Sequence, residues 1–274
     1  MDIDDILASV DRGTGASPES AAIDHQLLTR FWAAERAVSE VLPWPAPLME
    51  RMMDRVRIQI ETIEDLASSS TEPTKSTNNP NLNLRLSILQ TDLARTQYLL
   101  RSLLRQRLAK LSKNSMHYLV QLASRSKNPL ADSQSQSQSQ TPSQSQPNSQ
   151  TLSPEDSVPD ISSVSDFSPL SEQEASFVHA HQTLLASHYG GSFMGAFPPQ
   201  LRRLDDNAGG TSMVQGPEMK EVVFVRCLAK EIPVVIPDGD SEEDYGVVMR
   251  MGDVWVVQWE GVRKAWKRGE VELL

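Results

Sequence analysis

Residues 96–113 read TQYLLRSLLRQRLAKLSK. Leu100, Leu103, Leu104, Leu108 and Leu111 recur at steps of three and four, the spacing that lines one side of an α-helix. Arg101, Arg105, Arg107, Lys110 and Lys113 fill the positions between them. Upstream, Leu86, Leu89 and Leu93 extend the pattern; downstream, Tyr118, Leu119 and Leu122 do. No Pro or Gly interrupts residues 82–124. A helix of about forty residues would be about 60 Å long, more than a small domain is wide. A break or an external partner is therefore expected, and NSMHYL (114–119) is the predicted place for the break.

On the N-terminal side, Ser17-Pro18-Glu19 has the form of a helix start. Ile23, Leu27, Phe31, Ala34, Val38 and Val41 predict an amphipathic helix over 18–42, ended by Pro43, Pro45 and Pro47. Leu48, Met52, Val56, Ile60, Ile63 and Leu66 predict a second helix over 47–67, followed by a polar loop. Beyond the long helix, residues 126–169 include SQSQSQSQTPSQSQPNSQ, which offers no aliphatic or aromatic side chain to bury and is expected to be disordered. Ser171 to Glu174 form a capping-box pattern that opens a helix over 171–188. The period then changes. EVVFVRCL, IPVVIP, YGVVMR and DVWVVQW are short β-branched runs separated by turn residues, predicting a small antiparallel β module. The expected fold is thus α+β and mainly α: a helical bundle, a disordered linker and a small β-rich C-terminal domain. The expected divisions are a short motif at 1–12, a helical domain at 17–125, the linker at 126–169, a linking helix and turn at 170–205, and the β-rich domain at 218–274.

Composition narrows the function. The chain has 274 residues and a net charge of −10. The charge is uneven: residues 73–127 carry ten bases against Asp92 alone, inside an otherwise acidic chain. No run reaches the eighteen or so apolar residues that cross a bilayer, so no membrane association is expected. One cysteine, Cys227, excludes an internal disulfide and a Cys-based zinc cluster. Phosphate-binding glycine loops, GxSxG, HExxH and CxxC are absent, so neither an enzyme nor a cofactor is expected. His179, His181 and His188 do not converge on one helix face, and Asp238, Asp240, Glu242, Glu243 and Asp244 have the composition of a solvated hairpin tip. The basic helix 95–113 leaves three readings open: contact with partner subunits, a plain solvated face, or a stand-alone nucleic-acid-binding protein that grips the phosphate backbone. The first residues, MDIDDILASVD, place Ile3, Ile6, Leu7 and Val10 on one helical face between aspartates. So short a helix is marginal alone: it is either a frayed terminus or a peptide that becomes helical only against a partner's groove.

Several of these blocks resemble one family. LLTRFWAAERAVSEVLP (27–43) resembles the L-x-x-A-W-x-x-E-R-x-x-P-E-L-L motif that opens the helical domain of GINS replication-complex subunits of the Sld-five type. TQYLLRSLLRQRLAKLSK is similar to that family's R-x-x-Y-x-L-x-S-Y-L-R-x-R-L-x-K-I-E-K helix. LSEQEASFV (170–178), PPQL (198–201) and GEVELL (269–274) match further landmarks in order. Phe31 stands where Ala is usual, Ser39 where Pro is, and Leu103 where Tyr is common.

The resemblance implies a nuclear, non-enzymatic scaffold subunit that joins three paralogous subunits in a heterotetramer. That complex combines with the MCM hexamer and a third component to form the replicative helicase, with DNA contact indirect or weak. It further implies that Asp4, Asp5, Ile6, Leu7 and Val10 dock onto a trimeric β-propeller adaptor of the replisome. Leu27, Phe31, Trp32, Leu100, Leu103, Leu104, Arg107, Leu108 and Leu111 are the residues expected at the interface with the sister subunits.

Overall fold

The structure is a computed structural model that describes residues 18–71, 80–127, 158–159, 169–198, 202, 214–236 and 245–274. The expected adaptor-binding residues, most of the Ser-Gln linker and the acidic cluster at 238–244 lie outside these residues. In chain order the elements are α1 (Pro18–Ala37), α2 (Ala46–Thr71), α3 (Pro80–Lys113), α4 (Ser115–Lys127), α5 (Glu172–Ser192), a 3-10 turn (Met194–Ala196), β1 (Val222–Cys227), β2 (Glu231–Ile236), β3 (Tyr245–Arg250), β4 (Val254–Gln258), α6 (Trp259–Lys267) and β5 (Val271–Leu273). The architecture is mainly helical with a small antiparallel β portion at the C-terminal end, as the sequence periods imply. Contacts divide the chain into two units: one holds Met1–Ser39, Pro45–Arg107 and Met219–Leu274, the other Glu40–Trp44 and Leu108–Glu218.

In the first unit, polar bridges fix three helices side by side. Gln59 on α2 donates to the Leu89 carbonyl at 3.1 Å and to Asp92 at 3.0 Å on α3. Trp32 and Glu35 on α1 meet Ser102 and Arg107 on α3, so α1 and α3 run in the same direction. Leu28, Ala34, Leu48, Met49, Met52, Leu89, Leu99, Leu100 and Leu103 are buried apolar residues of these helices. α1 ends at Ala37, five residues before the sequence pattern does. Ser39 N–H donates to Glu221 Oε2 at 2.8 Å, a partner that replaces the helical hydrogen bond and frees the chain to turn toward the prolines.

The same unit contains a three-stranded antiparallel sheet, ordered β4-β1-β5, and a separate β2-β3 hairpin. Alternation along β1 turns Val223, Val225 and Cys227 inward and Val222 and Phe224 outward. The register sets Phe224 beside Val256, and Val254 beside Arg226. Trp259, Val262 and Ala265 of α6 are buried as well. Gly269 has φ +74°, a left-handed turn between α6 and β5 that a side chain would strain. Glu272 of β5 accepts from Arg30 of α1 at 3.1 Å.

The second unit has its own core of Val41, Leu111, Tyr118, Leu119, Leu122, Leu170, Ala175 and Val178, with Val158 packed against it. The helix break falls at Asn114, inside the predicted segment. Asn114 and Ser115 are buried, and Ser115 Oγ donates to Gln182 Oε1 of α5 at 2.7 Å. The leucine pattern is interrupted there because polar side chains find polar partners. α5 starts with a complete capping box: Glu174 N–H donates to Ser171 Oγ, and Ser171 N–H donates to Glu174 Oε2.

Candidate subunit interface

The inward face of α1 differs from the one its apolar periodicity predicts. Ile23 and Leu27 are 55% and 41% exposed, whereas Asp24 and Glu35 are buried on the same side as Leu28 and Val38. Two carboxylates thus occupy core-facing positions, and each is answered by arginine from a neighbouring helix.

Asp24 accepts from Arg51 Nη2 at 2.9 Å and from Arg55 Nη2 at 3.0 Å, both on α2. That hydrogen bond, opposed by a smaller desolvation and helped by the charge of Asp24, lifts Arg51 above the ordinary arginine range. Glu35 Oε2 accepts from Arg107 Nη1 at 2.9 Å, and both side chains are wholly buried. One turn away, Trp32 Nε1 donates to Ser102 Oγ at 2.9 Å while the Arg36 guanidinium lies 4.7 Å above the Trp32 ring. The Trp-Glu-Arg block of α1 and the Ser-x4-Arg block of α3 are therefore two halves of one helix-to-helix lock.

This corrects part of the expected interface. Leu103, Arg107 and Leu111 are fully buried within the chain itself, and Leu100 is nearly so. None has surface to offer a partner. Phe31 and Trp32 are half-buried, with the polar edge of Trp32 already spent on Ser102. What remains outward is Leu27 on α1 and, on α3, Tyr98 and Leu104, flanked by the exposed Arg101 and Arg105. Leu108, in the second unit, is also exposed. Sequence reasoning missed Asp24, Glu35 and Ser102. A carboxylate in register with Leu28 and Val38 was the available signal.

Two more apolar faces are open. One is the outer row of the sheet, Val222, Phe224, Val254 and Val256, each more than half exposed. The other lies on α5, where Phe177 and Leu184 are exposed and the Phe177 ring stacks on His181 at 5.8 Å. The His188 ring lies 5.9 Å from that of Tyr189. Among the described residues no cluster of His, Cys, Asp and Glu could hold a metal ion, and no helix is long and apolar enough to cross a membrane.

Comparison with known proteins gives these faces a context. Residues 59–193 match the model for the GINS complex protein helical bundle domain. Residues 217–274 match the model for the DNA replication complex GINS protein SLD5 C-terminus. A DNA replication complex GINS protein SLD5 of Chaetomium globosum is 33% identical over 275 residues, covering all of both chains. The chain belongs to the SLD5 family of GINS proteins. Its SLD5 relative in Yarrowia lipolytica is 30% identical, over 98% of this chain and 84% of the other. That in Schizosaccharomyces pombe is 26% identical, over 92% of each. The first unit contains part of the helical-bundle match and all but the first two residues of the C-terminal match.

Proposed function

We propose that this chain is a non-enzymatic scaffold subunit of a nuclear GINS heterotetramer, in which three sister subunits cover its open apolar faces. The assembled complex braces and activates the MCM-based replicative helicase. The observation that carries this reading is α3. Its inward face is complete, yet Tyr98 and Leu104 remain 64% and 38% exposed on the opposite side. Covering the apolar area they still expose gains about 25 cal/mol per Å², which favours assembly when several such side chains are covered together. Apolar groups placed between the arginines suit a protein surface better than a phosphate backbone, which rewards charge alone. The residues at 4–10 add a tether to a replisome adaptor, as the resemblance implies.

Leu104→Asp, co-expressed with the three sister chains, tests the interface. The expected result is loss of the stoichiometric complex while the chain retains its own helical signal; full recovery of the complex overturns the reading. Leu100→Asp would not serve, because it strikes the chain's own core. Deleting residues 1–11 should leave the tetramer intact and remove adaptor capture; undiminished capture would refute the tether.

A further inference from the structure

The open apolar faces differ in the charge that accompanies them. On α3, Tyr98 and Leu104 are interleaved with Arg101 and Arg105, all exposed. Arg101 Nη2 donates to the neutral Gln97 Oε1 at 3.3 Å, not to a carboxylate. Elsewhere the nearby arginines are answered: Arg57 by Asp54 at 3.7 Å on α2, and Arg226 by Glu272 at 3.8 Å on the sheet. The face of α5 carries histidines and no arginine. On α3, then, outward apolar side chains stand beside arginines that no carboxylate among the described residues answers.

The complement of that face is in the same chain. Residues 1–11 carry Asp2, Asp4, Asp5 and Asp11 around an apolar row of Ile3, Ile6, Leu7 and Val10. In sequence, this apolar row and its aspartates are the chemical counterparts of the apolar side chains and arginines on α3. We propose that in the unassembled chain residues 2–11 fold back onto the α3 stripe formed by Tyr98, Arg101, Leu104 and Arg105. The segment shields this face until a sister subunit displaces it. The displacement rests on the scaffold reading above; the docking does not.

Reach permits it. α1 and α3 run in the same direction, with Trp32 beside Ser102. Pro18 lies fourteen residues before Trp32, about 21 Å along the helix axis, so the stripe is about 20 Å from the start of α1. The six residues 12–17 span up to about 20 Å when extended. The attraction is between exposed charges, so salt weakens it, as a displaceable cover requires.

The test places a photo-crosslinking residue at Ala8 in the full chain, kept soluble by a C-terminal tag, and maps the products by mass spectrometry. Crosslinks are expected on the peptides spanning 96–107, with a yield independent of protein concentration. Reversing Arg101 and Arg105 to Glu should lower that yield about fivefold, and adding Asp4→Lys and Asp5→Lys should restore it. Both arginines are exposed, so an unchanged melting curve certifies that the variants fold. Crosslinks scattered over the surface, a yield indifferent to charge reversal, or products linking two copies in proportion to concentration would each overturn the proposal. None of these outcomes bears on whether Leu104→Asp dissolves the co-expressed complex, so the two readings fail separately.

Discussion

α1 carries two inward carboxylates, and their surroundings differ. Asp24 is held by Arg51 and Arg55, and the Arg51 side chain is 50% exposed. Glu35 is held by Arg107 with neither side chain exposed. The Arg51 arm of the first cluster leans on water, which screens that pair and makes it a small contributor. The second is dry. Its two ions lose hydration that their attraction only roughly returns, so its net worth is small while the cost of breaking it is large. The lesson is about specificity: Glu35 and Arg107 fix which residues of α1 and α3 meet, and leucines alone would tolerate a slip along the helix.

Substitutions can break this contrast in order of size. Arg107→Ala strands the Glu35 carboxylate in the core and should cost about 3–5 kcal/mol, measured by urea unfolding of the full chain. Replacing both residues together, Glu35→Leu with Arg107→Met, should recover most of that; failure to recover would mean that the pair holds more than its own charge. Asp24→Ala should cost about 1–3 kcal/mol, because Arg51 can turn to water while Arg55 is less free to do so. Arg51→Ala should have the smallest effect of the three, because its guanidinium is half exposed. An Arg51 effect as large as that of Arg107 would erase the distinction between wet and dry.

The smallest effect is one of pH and belongs to the second unit. His117 lies against Gly216, where an added Cβ would sit 3.1 Å from the imidazole ring. Burial pushes His117 below the ordinary histidine range, and the nearby Glu40 only partly offsets this. With the folded pKa below the unfolded value, the unfolded chain binds the extra proton. Stability is therefore full above about pH 6.5, the unfolded value, and falls as the pH drops from there through the folded pKa. Thermal melting should show this decline, and His117→Asn should flatten it. An unchanged slope would assign the pH dependence to other groups.

Much of the fold is legible locally. β-branched runs announce the strands, and polar residues replacing leucines announce the break at Asn114. The capping box at Ser171 needs only four residues to be read. The inward face of α1 is not legible in this way. Apolar counting selects Ile23 and Leu27, whereas the structure buries Asp24 and Glu35, whose partners lie 27 to 72 residues away. Periodicity sees neighbours in sequence, and these carboxylates are explained only by neighbours in space. For the same reason the sequence presents Arg107 as one more charge on a basic helix, whereas it is the most deeply buried cation of α3.

The outer sheet row has a consequence for the life of the free polypeptide. Of this row, Val254 and Val256 belong to β4, the terminal strand in the three-stranded order, and Val222 and Phe224 to its neighbour β1. An apolar row next to a strand edge invites further strands of the same kind to add on. Time spent alone is then the hazard, and matched synthesis of whatever covers this row would guard against clumping more effectively than any extra stability inside the fold.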